Sequence, residues 1–180
     1  LQALYEHGGI YLDMDTVTCK PIDASPGGVT IGNQSKPHGL CNAIIASVPR
    51  AQFLRKWMDN CKSYKDCPPG TPMWDYNAVK LPMELYNKGE VNVTIRTNWH
   101  KVHWSEAEKR MLDDENVVPT QPVYHLCESM YYDRLTSLTP ETITGLYKKI
   151  VWQFCTIPSM CHNFSEGCAL QQGVRSWSDT

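Results

Sequence analysis

Two carboxylates stand one residue apart at the end of a short apolar run, where Ile10-Tyr11-Leu12 leads into Asp13-Met14-Asp15. If that run is a strand continuing through the pair, both acidic side chains leave the same face, because strand side chains alternate with period two. Paired carboxylates make a hard-oxygen site suited to Mn2+ or Mg2+, with coordination positions left for the oxygens of a diphosphate. A cation held there would act as a Lewis acid on a departing phosphate group. In open α/β sheets ligands gather outside the carboxyl ends of strands, where this pair falls. D-x-D alone is too short a pattern to assign chemistry, so its surroundings must carry the argument.

The same residues admit other readings. Asp13-Met14-Asp15-Thr16-Val17 fits the D-x-D-x-[TV] signature of haloacid-dehalogenase-like phosphatases, in which the first Asp attacks phosphorus and the second is acid/base. That family wants a longer apolar strand before the motif. An EF-hand calcium loop fails, since it needs an oxygen ligand at Val17 and Gly at Thr18. The aspartates could also merely cap a turn in a luminal domain. Two further candidates lie downstream. His125 could supply a neutral imidazole to a cation or donate to phosphate, or be an ordinary satisfied histidine. Asp75 could stand near a reacting carbon, or simply interact with a helix dipole.

The elements that must position these groups follow from periodicity and punctuation. Leu1 to His7 reads as a helix, Gly8 as its left-handed cap, and Ile10–Leu12 as a strand. Pro21 to Gly28 is a loop, and strands are expected at Val29–Gly32, Cys41–Ala46, Val91–Ile95 and Val123–Leu126. Arg50 to Tyr64 is the clearest helix, with Leu54, Trp57, Met58 and Cys61 on one face. Trp74 to Tyr86 is helical with Pro82 breaking or kinking it. Ser105 and Glu108 form a capping box, and Pro140 starts a last helix through about Phe154. Strands alternating with helices give an α/β class. Residues 1–154 form the D-x-D-containing domain and 155–180 a cysteine-containing tail.

Composition bounds the function. The 180 residues are 42% hydrophobic and 20% charged with formal net charge −2, which suits a folded domain with no general pull toward nucleic acid. Six Trp and nine Tyr against three Phe suit stacking on sugars or bases as well as core packing. No run nears the roughly 18 apolar residues of a membrane span. The opening inside a helix suggests residues missing before Leu1, where any anchor would lie. Eight cysteines and three N-x-[ST] sequons, at Asn33, Asn92 and Asn163, together point to a secretory lumen. Cys61 and Cys67 could close a small disulfide loop, and Cys155, Cys161 and Cys168 could tie the tail.

The ungapped run from Leu4 to Asp15, a helix ending L-Y-x-x-G-G and a strand ending Y-x-D-x-D, resembles the DXD sugar-binding region of a glycosyltransferase family. That family includes initiation-specific α-1,6-mannosyltransferases, α-1,4-galactosyltransferases and mannosyl-inositol-phosphoceramide synthases. The similarity continues more loosely to about Tyr132, through Cys41–Ala46, Trp74–Val79 and His125-x-x-x-Ser129, with Met130-Tyr131 where Trp is usual. It implies a GT-A-like fold, here lacking its first part. It also implies retaining transfer of a hexose from a nucleotide sugar to a glycan or glycolipid hydroxyl in the Golgi. Asp13, Asp15 and His125 would hold the metal, and Asp15 and Asp75 would be catalytic. Gly8, Gly9, Tyr11, Asn42, Trp74 and Ser129 would line the substrate pocket. A relative that binds sugar without turning it over would share these features.

Overall fold

A computed structural model describes residues 1–22, 27–34, 39–89, 91–99, 106–116, 118–139 and 142–154. The chain is mixed α/β and divides into two units, one of residues 1–103 and 121–126, the other of residues 104–120 and 127–180.

In the first unit, α1 (Gln2–His7) ends at Gly8 and β1 (Gly9–Leu12) follows at once. Gly8 takes φ +67, and a Cβ there would lie 2.7 Å from Pro49 Cδ and 2.9 Å from the Ser47 carbonyl oxygen. The turn therefore needs a residue without a side chain, both for its dihedral and for its closeness to the chain after β4. Strands β3 (Val29–Asn33), β4 (Leu40–Ser47) and β5 (Val93–Arg96) complete a four-stranded sheet of order β1-β4-β3-β5. β4 runs antiparallel to both neighbours, and β5 lies parallel to β3.

β4 is apolar along most of its length because both of its faces are covered. Leu40 and Ile45 join Val29, Ile31, Phe53, Leu54 and Trp57 in one core cluster, while Cys41, Ala43, Ile44 and Ala46 join Trp99 and Val123 in another. The β3–β4 register shifts between Ile31 and Gly32, and this bulge lets the sequence neighbours Ala43 and Ile44 share a cluster.

Helix α2 (Gln52–Asn60) is shorter than the Arg50–Tyr64 span expected. Cys61 leaves the helix with ψ 132, so the buried face is Phe53, Leu54 and Trp57, and Cys61 is exposed. A 3-10 turn (Tyr64–Asp66) occupies the rest. The next helical stretch combines α3 (Met73–Asp75), a π-helical turn (Tyr76–Lys80) and α4 (Leu81–Asn87). Pro82 does not end it, because the wide turn immediately before Pro82 carries the change of register. The loosened turn is held by its neighbours. Trp57 Nε1 donates to the Asn77 carbonyl at 2.7 Å, while the Asn77 side chain accepts from Lys62 N (2.7 Å) and donates to Lys62 O (2.8 Å).

A second, two-stranded sheet pairs β2 (Thr16–Thr18) with β6 (Val123–His125) in antiparallel fashion. β2 was not expected, since three residues after the acidic pair give too little periodicity to read. In the other unit, a π-helical turn (Lys109–Asp113), a 3-10 turn (Glu128–Met130), α5 (Tyr132–Ser137) and α6 (Leu146–Phe154) surround Met111, Leu112, Ile143, Leu146 and Ile150. The Arg134 guanidinium donates to Asp113 at 2.6 and 2.8 Å and to Glu108 at 3.0 Å. The last helix begins at Leu146, and the expected starts at Ser105 and Pro140 fall outside the described residues, as does the tail 155–180.

Cys61 and Cys67 are both free thiols, so the Cys61–Cys67 bridge is not formed. The Cys61 thiol instead donates to the Trp57 carbonyl at 3.3 Å. Cys155, Cys161 and Cys168 lie outside the described residues.

Gly8→Ala should destabilise the fold by more than about 1 kcal/mol, since the new Cβ meets both a left-handed dihedral and Pro49. Urea unfolding followed by tryptophan fluorescence reads this. Unchanged stability would mean the α1–β1 turn is far more compliant than the contact distances imply.

Candidate metal centre

β1 pairs with β4 up to Leu12, and Asp13 N then donates to the Ala43 carbonyl at 2.9 Å, the last rung of that ladder. Beyond it the chain does not run on as a strand. Thr16 N and Thr16 Oγ1 both donate to the Asp13 carbonyl, at 3.2 and 2.7 Å, closing a tight turn over Asp13-Met14-Asp15-Thr16. The expectation that strand alternation aligns the two carboxylates is thus corrected: a turn brings them together. Met14, at the turn's tip, is fully exposed. Thr16 is a site residue that sequence reading missed; the one signal for it is the readiness of Thr hydroxyls to bond nearby backbone in turns.

The far side of the centre comes from β6. Thr16 pairs with His125 across the two strands, and Leu126 N donates to the Asp15 carbonyl at 2.8 Å. This brings His125 Nε2 to 3.1 Å from Asp15 Oδ1 and 3.8 Å from Asp13 Oδ2. One ligand atom from each of Asp13, Asp15 and His125 lies within 4.8 Å of the other two. All three side chains are partly buried, with relative exposures of 27%, 26% and 19%.

Two carboxylate oxygens and an imidazole nitrogen fit a divalent first-row cation. The oxygens suit Mg2+ and Mn2+ alike, and the nitrogen favours Mn2+. Three protein ligands also leave coordination positions for oxygens from a substrate. To serve, His125 must be neutral, so cation binding would exchange its pairing with Asp15 for coordination by both.

Tyr11 bears directly on the centre: its hydroxyl donates to Asp13 Oδ1 at 2.6 Å. This hydrogen bond, followed by burial and the negative charges of Asp13 and Asp15, pushes the phenol from 10.0 up to about 12. Tyr11 therefore remains a proton donor across the physiological range and fixes one Asp13 oxygen, leaving the other facing His125.

The remaining expected site residues are placed as follows. Asn42 is half-buried on β4, next to the Ala43 carbonyl that receives Asp13 N. Gly8 and Gly9 form the α1–β1 turn, both with positive φ, and no atom lies within 4 Å of a Cβ built on Gly9. Trp74 is 58% exposed on α3, and Asp75 beside it pairs with Lys80 at 2.8 Å rather than joining the Asp–Asp–His group. Ser129 lies in the 3-10 turn Glu128–Met130, within the other unit.

The segment that carries the acidic pair is similar to known proteins. Residues 1–36 match the family described as the glycosyltransferase sugar-binding region containing DXD motif. A particular relative is Glucan organizing enzyme 1 of Cryptococcus neoformans var. grubii, 30% identical over 159 residues, which cover 79% of this chain. The match spans 42% of that relative's length, so the chain corresponds to less than half of it. No solved structure gives a significant match.

In protein stripped of divalent cations, one tyrosine should ionise late, near pH 12, in an absorbance titration of phenolate, and Tyr11→Phe should remove that late step. Because the folded value exceeds the unfolded one, the neutral phenol's contribution to stability is complete below about pH 10 and is lost as pH rises toward 12. If every tyrosine ionises together near pH 10, the Tyr11–Asp13 hydrogen bond is not formed in solution.

Proposed function

We propose that this chain is the donor-binding core of a metal-dependent, retaining glycosyltransferase with a GT-A-like fold, moving a hexose from a nucleotide sugar to a hydroxyl of a glycan or glycolipid. The observation that carries the reading is the convergence of Asp13, Asp15 and His125 within 4.8 Å, inside and just across from the segment that matches the sugar-binding region. The same match takes the two aspartates into the glycosyltransferase pattern rather than the phosphatase one.

A bound Mn2+ or Mg2+ would supply Lewis acidity toward the diphosphate leaving group. The chain's own residues do the rest. Asp13 and Asp15 furnish the negative charge that retains the cation, and the turn closed by Thr16 holds their spacing. His125 contributes its lone pair on the β6 side, and Tyr11 keeps Asp13 oriented. Stabilising the departing diphosphate, rather than deploying a strong nucleophile, is the main catalytic task. Asn42, Trp74 and Asp75 are proposed for the sugar side. Trp74 has the exposed ring that stacking on a sugar requires. Asp75, paired with Lys80, is proposed to face the reacting carbon. The proposed compartment is the Golgi or secretory lumen. The relative's name refers to glucan, so glucan oligosaccharides belong beside glycolipids among the acceptors to try.

A panel of nucleotide sugars, assayed for hydrolysis and transfer with and without Mn2+, should yield cation-dependent turnover of one donor. Asp15→Ala should abolish it while circular dichroism stays unchanged; retained turnover would remove Asp15 from the metal role. His125→Ala should weaken Mn2+ binding, read by electron paramagnetic resonance, by at least on the order of tenfold, since loss of even an outer-shell partner costs that much. Well-folded protein that binds Mn2+ and turns over no donor would identify the non-catalytic relative instead.

A further inference from the structure

The three N-x-[ST] sequons differ in what the fold permits at each. We infer that Asn92, and not Asn33, is the sequon at which the folded protein carries an N-linked glycan. Asn33 ends β3, is half-buried, and its Oδ1 is enclosed without a hydrogen-bond partner among the described residues. A glycan attached there would have to grow from an amide whose oxygen the fold already encloses. Asn163 lies outside the described residues.

Asn92 stands immediately before β5, which among the described residues is an edge strand with β3 as its neighbour. The residue is exposed, and its Nδ2 donates to the Gly27 carbonyl at 2.8 Å. Gly28 makes room for it: a Cβ there would lie 3.1 Å from Asn92 Cγ, 3.2 Å from Nδ2 and 2.6 Å from the Asn92 carbonyl oxygen. The amide nitrogen carries two hydrogens, and the fold uses one. In the transfer, C1 of a lipid-diphosphate-linked oligosaccharide loses its bond to phosphate oxygen and gains one to Nδ2. Nδ2 gives up one proton, and the lipid diphosphate leaves. The second hydrogen stays, so the bond to Gly27 survives modification.

The position also answers a liability of the sheet. Val91-Asn92-Val93-Thr94-Ile95 is rich in β-branched residues, carries no charge, and forms an edge whose outer backbone groups can template pairing with another chain. A hydrated glycan on the residue just before the strand blocks that approach sterically. The inference rests on the secretory compartment proposed above and is independent of any transferase activity.

The test expresses the full chain behind a cleavable secretion leader in a eukaryotic host, which imposes the compartment. The glycans of the secreted protein are then released by peptide-N-glycosidase in heavy-oxygen water. Mass spectrometry should find labelled aspartate at position 92 and unmodified Asn33. Thr94→Val, which destroys the sequon yet keeps Asn92 and a β-branched side chain, should remove that glycan while preserving circular dichroism. It should also raise the aggregated fraction in size-exclusion chromatography. Unlabelled Asn92, or label at Asn33 in folded monomer, would overturn the assignment. An unchanged aggregated fraction in Thr94→Val would overturn the edge-shielding role. None of these outcomes bears on donor turnover, so the transferase reading stands or falls separately.

Discussion

The candidate centre depends on one short antiparallel ladder. Three residue pairs between β2 and β6, with Thr16 opposite His125, and a backbone bond from Leu126 N to the Asp15 carbonyl, bring together side chains from widely separated parts of the chain. Without that ladder, Asp13 and Asp15 would be a pair of exposed carboxylates repelling each other on a surface turn. With it, an imidazole stands 3.1 Å from one of them, and the group acquires the mixed donor set of a transition-metal site.

The other half of the centre rests on the sheet. β4, buried on both faces, is the rigid member, and the Ala43 carbonyl fixes where β1 ends and the acidic turn begins. Gly8 sets the angle at which β1 enters that ladder, through a contact with Pro49 that no side-chain-bearing residue could make unchanged. Orientation then passes down to single atoms. Tyr11 holds one oxygen of Asp13, Thr16 holds its carbonyl, and the side-chain oxygen left over faces His125. The Tyr11 and Thr16 contacts are hydrogen bonds, each worth on the order of 1 kcal/mol net, and together they remove much of the freedom Asp13 would otherwise have.

Much of this was legible in the residues. The run from Leu4 to Asp15 announces a helix, a glycine turn and a strand, and all three are present as α1, Gly8 and β1. The strands around Val29, Cys41, Val93 and Val123 follow from β-branched and apolar runs. What escaped was conformational detail with no periodic signature. The acidic pair sits on a turn, not a pleat, because Thr16 captures the Asp13 carbonyl before another strand residue can form. The helix around Pro82 persists because a π turn absorbs the misfit, and that depends on Asn77 and Trp57 meeting across distant sequence. Cys61 left the predicted face of α2 because the helix stops one residue earlier. His125 became a candidate through resemblance rather than spacing, since nothing local to it signals that Asp15 will be its neighbour.

The unit that holds the centre is discontinuous: residues 121–126 return to it after an excursion into the other unit. As the polypeptide is synthesised, the four-stranded sheet can assemble once β5 has emerged, but the acidic turn must wait for β6 before it has its third ligand. A cation joining Asp13 and Asp15 to His125 would then work as a late clasp, closing a loop that includes nearly the whole unit. The entropy of a long loop grows only slowly with its length, so such a clasp costs little more than a short one while holding far more of the chain. Occupancy of the centre would therefore report that synthesis has passed β6 and that its strand has returned to the right place.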